Sequence, residues 1–105
     1  MKTKAHFYIR TKFLDRIRAE ARDGYIERIG ERVYTYHKNG GYWFISDHAT
    51  GLLISYFRTL KECQEHLQKV SVILEKRLKL AEEEPDNVKF TRAVIEFIRK
   101  EAGLE

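Results

Sequence analysis

The sequence predicts an α+β fold: a short N-terminal strand and helix, an antiparallel β-meander of three to four strands, a long amphipathic helix and a C-terminal helix. Three observations carry this expectation. Apolar residues alternate with period two from Tyr25 to Phe57, broken by glycine turns; Thr59-Leu60-Lys61-Glu62 has the form of a capping box; and an apolar stripe at three-to-four spacing follows it. At 105 residues the chain suits one hydrophobic core rather than two, so residues 1–105 are expected to form a single domain.

Ala5–Arg10 is aromatic and β-branched, which favours an extended chain. Thr11 as a cap and Gly24 as a stop then predict a helix running to about Asp23, giving a basic strand and helix segment over 5–24. On that helix Phe13, Leu14, Ile17 and Ala21 share a face, Lys12, Arg16, Arg18 and Arg22 occupy the remainder, and Asp15 stands within pairing reach of Arg18.

The meander spans 25–57. Gly30-Glu31 separates Tyr25–Ile29 from Arg32–Lys38, Asn39-Gly40 leads into Tyr42–Asp47, and the turn His48-Ala49-Thr50-Gly51 leads into Leu52–Phe57. A two-residue loop at Asn39-Gly40 sets Tyr36 opposite Trp43 and Tyr34 opposite Ile45, with Ile45 facing Ile54. One face then carries Tyr34, Tyr36, Trp43, Ile45, Leu52, Ile54 and Tyr56. The other carries Val33, Thr35, His37, Tyr42, Phe44, Leu53 and Phe57. If Gly41 joins the loop, the second strand flips relative to the third; in either register the sheet is too apolar to leave one side wholly in water.

The long helix is expected over 59–84. Leu60, Cys63, Leu67, Val70, Leu74 and Ala81 form its stripe, widened by Ile73, Leu78 and Leu80, and Glu82-Glu83-Glu84-Pro85 ends it. Asp86 or Asn87 caps a last helix over 86–103, with Phe90, Val94, Phe97, Ile98 and Leu104 on its stripe and Gly103 at its end. The short connection favours an antiparallel helical hairpin, while the same stripe over 60–81 equally suits a homodimer or another protein partner.

Charge is uneven. Residues 1–40 hold ten Lys/Arg against five Asp/Glu, and residues 41–105 hold ten against eleven. A basic N-terminal segment suits a polyanion, so Arg10, Lys12, Arg16, Arg18, Arg22, Arg28, Arg32 and Lys38 are candidates to neutralise phosphates, and Tyr34, Tyr36 and Tyr42 to touch bases or sugars. No apolar run approaches the ~18 residues needed to span a bilayer, and the start MKTKAHFYIRTKF lacks the apolar core of a secretion signal. The expectation is a cytoplasmic protein without membrane association.

Chemistry is sparse. There is no Gly-rich phosphate loop, no His-Glu-x-x-His and no nucleophile elbow. His48 beside Asp47 reads as a turn, Glu62 with His66 supplies two metal ligands where a site needs more, and the lone Cys63 falls on an apolar stripe as a buried thiol. The reading is a non-enzymatic binding module with no cofactor or metal.

Residues 32–68, RVYTYHKNGGYWFISDHATGLLISYFRTLKECQEHLQ, run strand, turn, strand, turn, strand and Thr-capped helix. With Gly41-Tyr42-Trp43 opening the middle strand, Asp47 and Gly51 bracketing the turn, Phe57-Arg58-Thr59 closing the sheet and Lys61-Glu62 starting the helix, this resembles the AP2-like, arm-type DNA-binding domains at the front of tyrosine integrases. The resemblance implies a three-stranded sheet that lies in the major groove with a helix packed behind it. Tyr34, Tyr36, Lys38, Tyr42 and Arg58 would then be the DNA contacts. The alternative is a protein-interaction or homo-oligomeric module, such as an accessory or inhibitory protein of a phage or mobile element.

Overall fold

The computed structural model describes residues 1–14 and 16–101. The proposed Asp15–Arg18 pair, the side chains of Phe13 and Phe97, and the helix end at Gly103 and Leu104 lie outside the described residues. Five antiparallel strands in sequential order, β1 (Thr3–Phe13), β2 (Arg16–Ile29), β3 (Arg32–Asn39), β4 (Tyr42–Asp47) and β5 (Leu53–Phe57), precede α1 (Leu60–Ala81) and α2 (Pro85–Glu101). The α+β meander with its two C-terminal helices is therefore as expected. No helix among the described residues is long and apolar enough to cross a membrane.

The predicted helix from Thr11 to Asp23 is replaced by strand. β1 and β2 pair in register from Thr3 opposite Ile26 to Phe13 opposite Arg16, so the basic segment is one long β-hairpin. The helical spacing of Ile17 and Ala21 coexists with a period-two set, Ile17, Ala19 and Ala21, and pairing with β1 decides between them because it satisfies the backbone groups of the extended β1, which a helix over 11–23 would leave without a partner strand. The hairpin turn is made at Leu14, a leucine at φ +54.

Only Tyr25–Ile29 of β2 pairs with β3. The rest of the hairpin curls across the sheet, bringing the Phe7 ring to 6.5 Å from that of His37 and the Arg10 amide into a 3.0 Å hydrogen bond with the Gly51 carbonyl, at the β4–β5 turn. The bend passes over β3 at Gly24, where a Cβ would collide with the Tyr36 carbonyl oxygen, so only glycine permits this approach.

The β3–β4 turn is Gly40-Gly41, both at positive φ, with Asn39 paired to Tyr42. The loop sits one residue later than Asn39-Gly40, which shifts each partner by two residues: Tyr36 lies opposite Ile45 and Tyr34 opposite Asp47. A two-residue shift preserves the faces. A bulge between β4 and β5 does not. Ser46 pairs with Leu53 but Ile45 with Ser55 and Phe44 with Tyr56, so Tyr56 lies on the His37 face and Phe57 opposite Trp43 on the other, the reverse of the simple alternation.

α1 covers the face carrying Tyr34, Tyr36 and Ile45, with Cys63, Leu67 and Leu78 buried against them. Thr59 caps it: the Glu62 amide donates to the Thr59 hydroxyl at 3.2 Å, and that hydroxyl donates to the Glu62 carboxylate at 2.9 Å. Ile73 and Leu80, expected in the stripe, point to solvent together with Val72. α2 does not fold back on α1 as a helical hairpin but packs against β2. Asn87 fixes it there, accepting from the Arg10 guanidinium at 2.7 Å and donating to the Ala81 carbonyl at 2.6 Å, while Phe90 fills the space beside Gly51.

Candidate nucleic-acid interface

The twelve residues proposed for DNA contact separate into distinct environments. Tyr34 and Tyr36 are fully buried beneath α1, which corrects their assignment to a DNA-reading surface. Their parity in β3 points them at the helix, and the Tyr36 hydroxyl donates to the Glu27 carboxylate at 2.7 Å. Desolvation first, and then that bond, hold the Tyr36 phenol well above its ordinary range. Arg32 is likewise unavailable to a phosphate. Its Nε and Nη2 grip the buried Asp47 at 3.0 and 2.8 Å, and its Nη1 reaches Glu82 at 2.7 Å, so it ties the sheet to the end of α1. Asp47 in turn accepts from the Thr50 amide and hydroxyl, which builds the β4–β5 turn.

Arg22 is half-buried. It donates to Glu20 at 2.8 Å and to the Ala21 carbonyl, and the bond to Arg22 is the main cause holding the Glu20 carboxyl below the usual range. Arg16 and Arg18 are exposed near the tip of the hairpin, lining a concavity with Glu96 and Lys100 of α2. Arg28 is exposed at the opposite end of β2, 3.5 Å from the Glu31 carbonyl. The arginines of β2 thus do not form one continuous patch.

Tyr42 and Arg58 do come together at one end of the sheet, where Asn39 pairs with Tyr42 and Trp43 with Phe57, whereas Lys38, opposite Trp43, has the parity of Tyr36 and lies on the α1 side of that end. The Arg58 guanidinium lies over the Tyr42 ring, 5.6 Å from its centre. Tyr42 meets Tyr56 edge to face at 5.6 Å, Tyr56 leans on Phe44 at 5.4 Å, and Phe44 stacks on His37 at 5.3 Å. The chain of rings runs from the buried His37 outward to Tyr56, which is 55% exposed, beside Leu53 at 56%. This face lies opposite α1, where the curled hairpin covers its inner half and leaves the β4–β5 half open.

Phe44, Leu53 and Tyr56 were not among the sequence-derived candidates. Phe44 and Leu53 were on the correct face by alternation, and only the bulge, which has no sequence signal of its own, brings Tyr56 beside them. Lys61, in the first turn of α1, is exposed and follows Arg58 closely in sequence.

Other chemistry is limited. Burial pushes the Cys63 thiol up to about 11, and its Sγ donates to the Trp43 carbonyl at 3.6 Å, consistent with a structural thiol. His48 is exposed at the β4–β5 turn, where Asp47 is committed to Arg32 and Thr50. Among the described residues no three His, Cys, Asp or Glu side chains converge as metal ligands. No protein family matches the chain, and no curated protein or solved structure does so either.

Proposed function

We propose that this chain is a nucleic-acid-binding module that takes DNA on the open β4–β5 face, with Tyr42, Phe44 and Tyr56 as the contact surface and Arg58 as the phosphate partner, and with the exposed Lys38 adding positive charge at the same end of the sheet. The observation that supports the reading is the pairing of Arg58 with Tyr42 at the edge of a half-exposed aromatic row, with α1 packed behind it. Cations at a ring edge answer phosphates, and rings answer bases or sugars. Arg16 and Arg18 add remote positive charge that assists encounter rather than contact.

The test is fluorescence anisotropy of labelled single-stranded and duplex DNA at about 50 and 200 mM salt, a range over which several phosphate contacts cost orders of magnitude in affinity. Binding of either form that weakens steeply with salt and falls on charge reversal at Arg58 supports the reading. Absence of binding to both forms at low salt removes it.

A second reading has its own observation. Val72, Ile73 and Leu80 lie on one exposed side of α1 at 71%, 60% and 78% exposure, an apolar stripe that neither the sheet nor α2 covers. A protein partner or a second copy of the chain fits such a stripe. A solution mass of one chain that is unchanged by Ile73→Glu would remove the self-association form of this reading.

A further inference from the structure

We infer that the DNA taken by this face is single-stranded, its bases stacking on Tyr56 and Tyr42; this rests on the nucleic-acid reading above. A duplex hides the flat faces of its bases and offers groove edges and two rows of phosphates, which reward many donors and cations. The open face offers the reverse. Tyr42, Phe44, Tyr56 and Leu53 present rings and an aliphatic side chain, and Arg58 is the cation seated among them. A single strand exposes the base faces that such a surface rewards, and one line of phosphates suits a surface whose cation is Arg58 at the Tyr42 ring.

The Tyr56 ring is also held in place before any ligand arrives. Tyr42 meets it at an interplanar angle of 89° and Phe44 at 33°, so little side-chain freedom remains to be lost when a base stacks on it. The choice of DNA over RNA follows from its surroundings. Leu53 and Phe44 flank the ring and carry no hydrogen-bonding group for a 2′-hydroxyl, whereas deoxyribose and the thymine methyl suit an apolar border.

The experiment titrates the protein into a labelled oligo-dT of about twelve nucleotides, a duplex of equal length and an oligo-U of equal length, at about 50 mM salt. The expected result is that oligo-dT binds about tenfold or more tighter than the duplex and tighter than oligo-U. Tyr56→Ala then weakens oligo-dT about tenfold, within the range for one stacked base, and Tyr56→Phe retains it. Tyr56→Phe keeps the ring contacts with Tyr42 and Phe44 that Tyr56→Ala removes, and melting of both variants in the same buffer separates a loss of fold from a loss of binding. A duplex that binds as well as oligo-dT overturns the single-strand inference and leaves the nucleic-acid reading standing. Preference for oligo-U overturns the choice of DNA, and an unaltered Tyr56→Ala overturns the placement on this face. Failure of every ligand to bind removes the inference and the parent reading together.

Discussion

The two faces of the β3–β5 sheet are built from similar residues and treated in opposite ways. On the α1 side Tyr34, Tyr36 and Ile45 are sealed under Cys63, Leu67 and Leu78, and Tyr36 delivers its hydroxyl to the buried Glu27. On the other side Tyr42, Phe44 and Tyr56 form a row that begins buried at His37 and ends in solvent, with a guanidinium laid over its last ring. A tyrosine in this sheet is therefore structural or available according to its parity in the strand, and its residue type alone does not tell which. The comparison also separates the arginines, since Arg32 is consumed by Asp47 and Glu82 while Arg58 has a ring beneath it and solvent beyond.

The sharpest way to break this contrast is at the covered side. Asp47→Ala removes both arms of the grip on Arg32 and the two bonds to Thr50, leaving a mostly buried guanidinium with only Glu82. We expect a loss of about 3–5 kcal/mol in urea-induced unfolding. Leu67→Ala empties a fully buried site under Tyr34 and Tyr36 and should cost about 2–5 kcal/mol by the same measurement. Arg58→Ala on the open side should cost less than about 0.5 kcal/mol, because it is exposed.

His37 links the two halves of the open face and sharpens the comparison through pH. Burial, and then the positive charge of Arg22, lower its pKa, and its Nδ1 has no hydrogen-bond partner in the protein. The folded state therefore binds fewer protons at this site than the unfolded chain. The stability gained from keeping the imidazole neutral is present above the ordinary histidine value of about 6.5 and declines as pH falls from there towards the lowered folded value. Thermal melts between about pH 7.5 and 5 should show this decline, and His37→Gln should flatten the part of the slope that His37 contributes. A mutant that keeps the full slope would assign it to groups other than His37.

The smallest expected effect lies at the hairpin turn. Leu14 is 82% exposed at φ +54, a conformation that costs a branched L-residue about 1 kcal/mol, so Leu14→Gly should leave stability unchanged or raise it slightly in the urea assay despite glycine's unfolded-state entropy.

Much of this architecture was legible. Thr59 and Glu62 announced the start of α1, and the glycines after Asn39 announced the β3–β4 hairpin, because both signals are local backbone chemistry. The β1–β2 hairpin was not legible, since its turn uses Leu14 rather than a glycine or proline and the sequence across that turn carries an accidental helical spacing at Phe13, Ile17 and Ala21. The destination of α2 was hidden for a different reason. It depends on Asn87 reaching Arg10, a contact 77 residues apart in sequence. Of the candidate site, Tyr42 and Arg58 meet on the open face and Lys38 is exposed on the α1 side, whereas Tyr34, Tyr36 and Arg32 are claimed by packing and ion pairing that emerge only in three dimensions.

The most direct test of the account is amide chemical-shift mapping of the labelled protein as oligo-dT is added. Binding on the open face concentrates shifts on Tyr42–Phe44 and Ser55–Arg58 and leaves Val72–Leu80 of α1 unmoved. Shifts confined to the exposed stripe of α1, or spread along Arg16–Arg22 with β4 and β5 silent, would contradict the assignment of the open face as the binding surface.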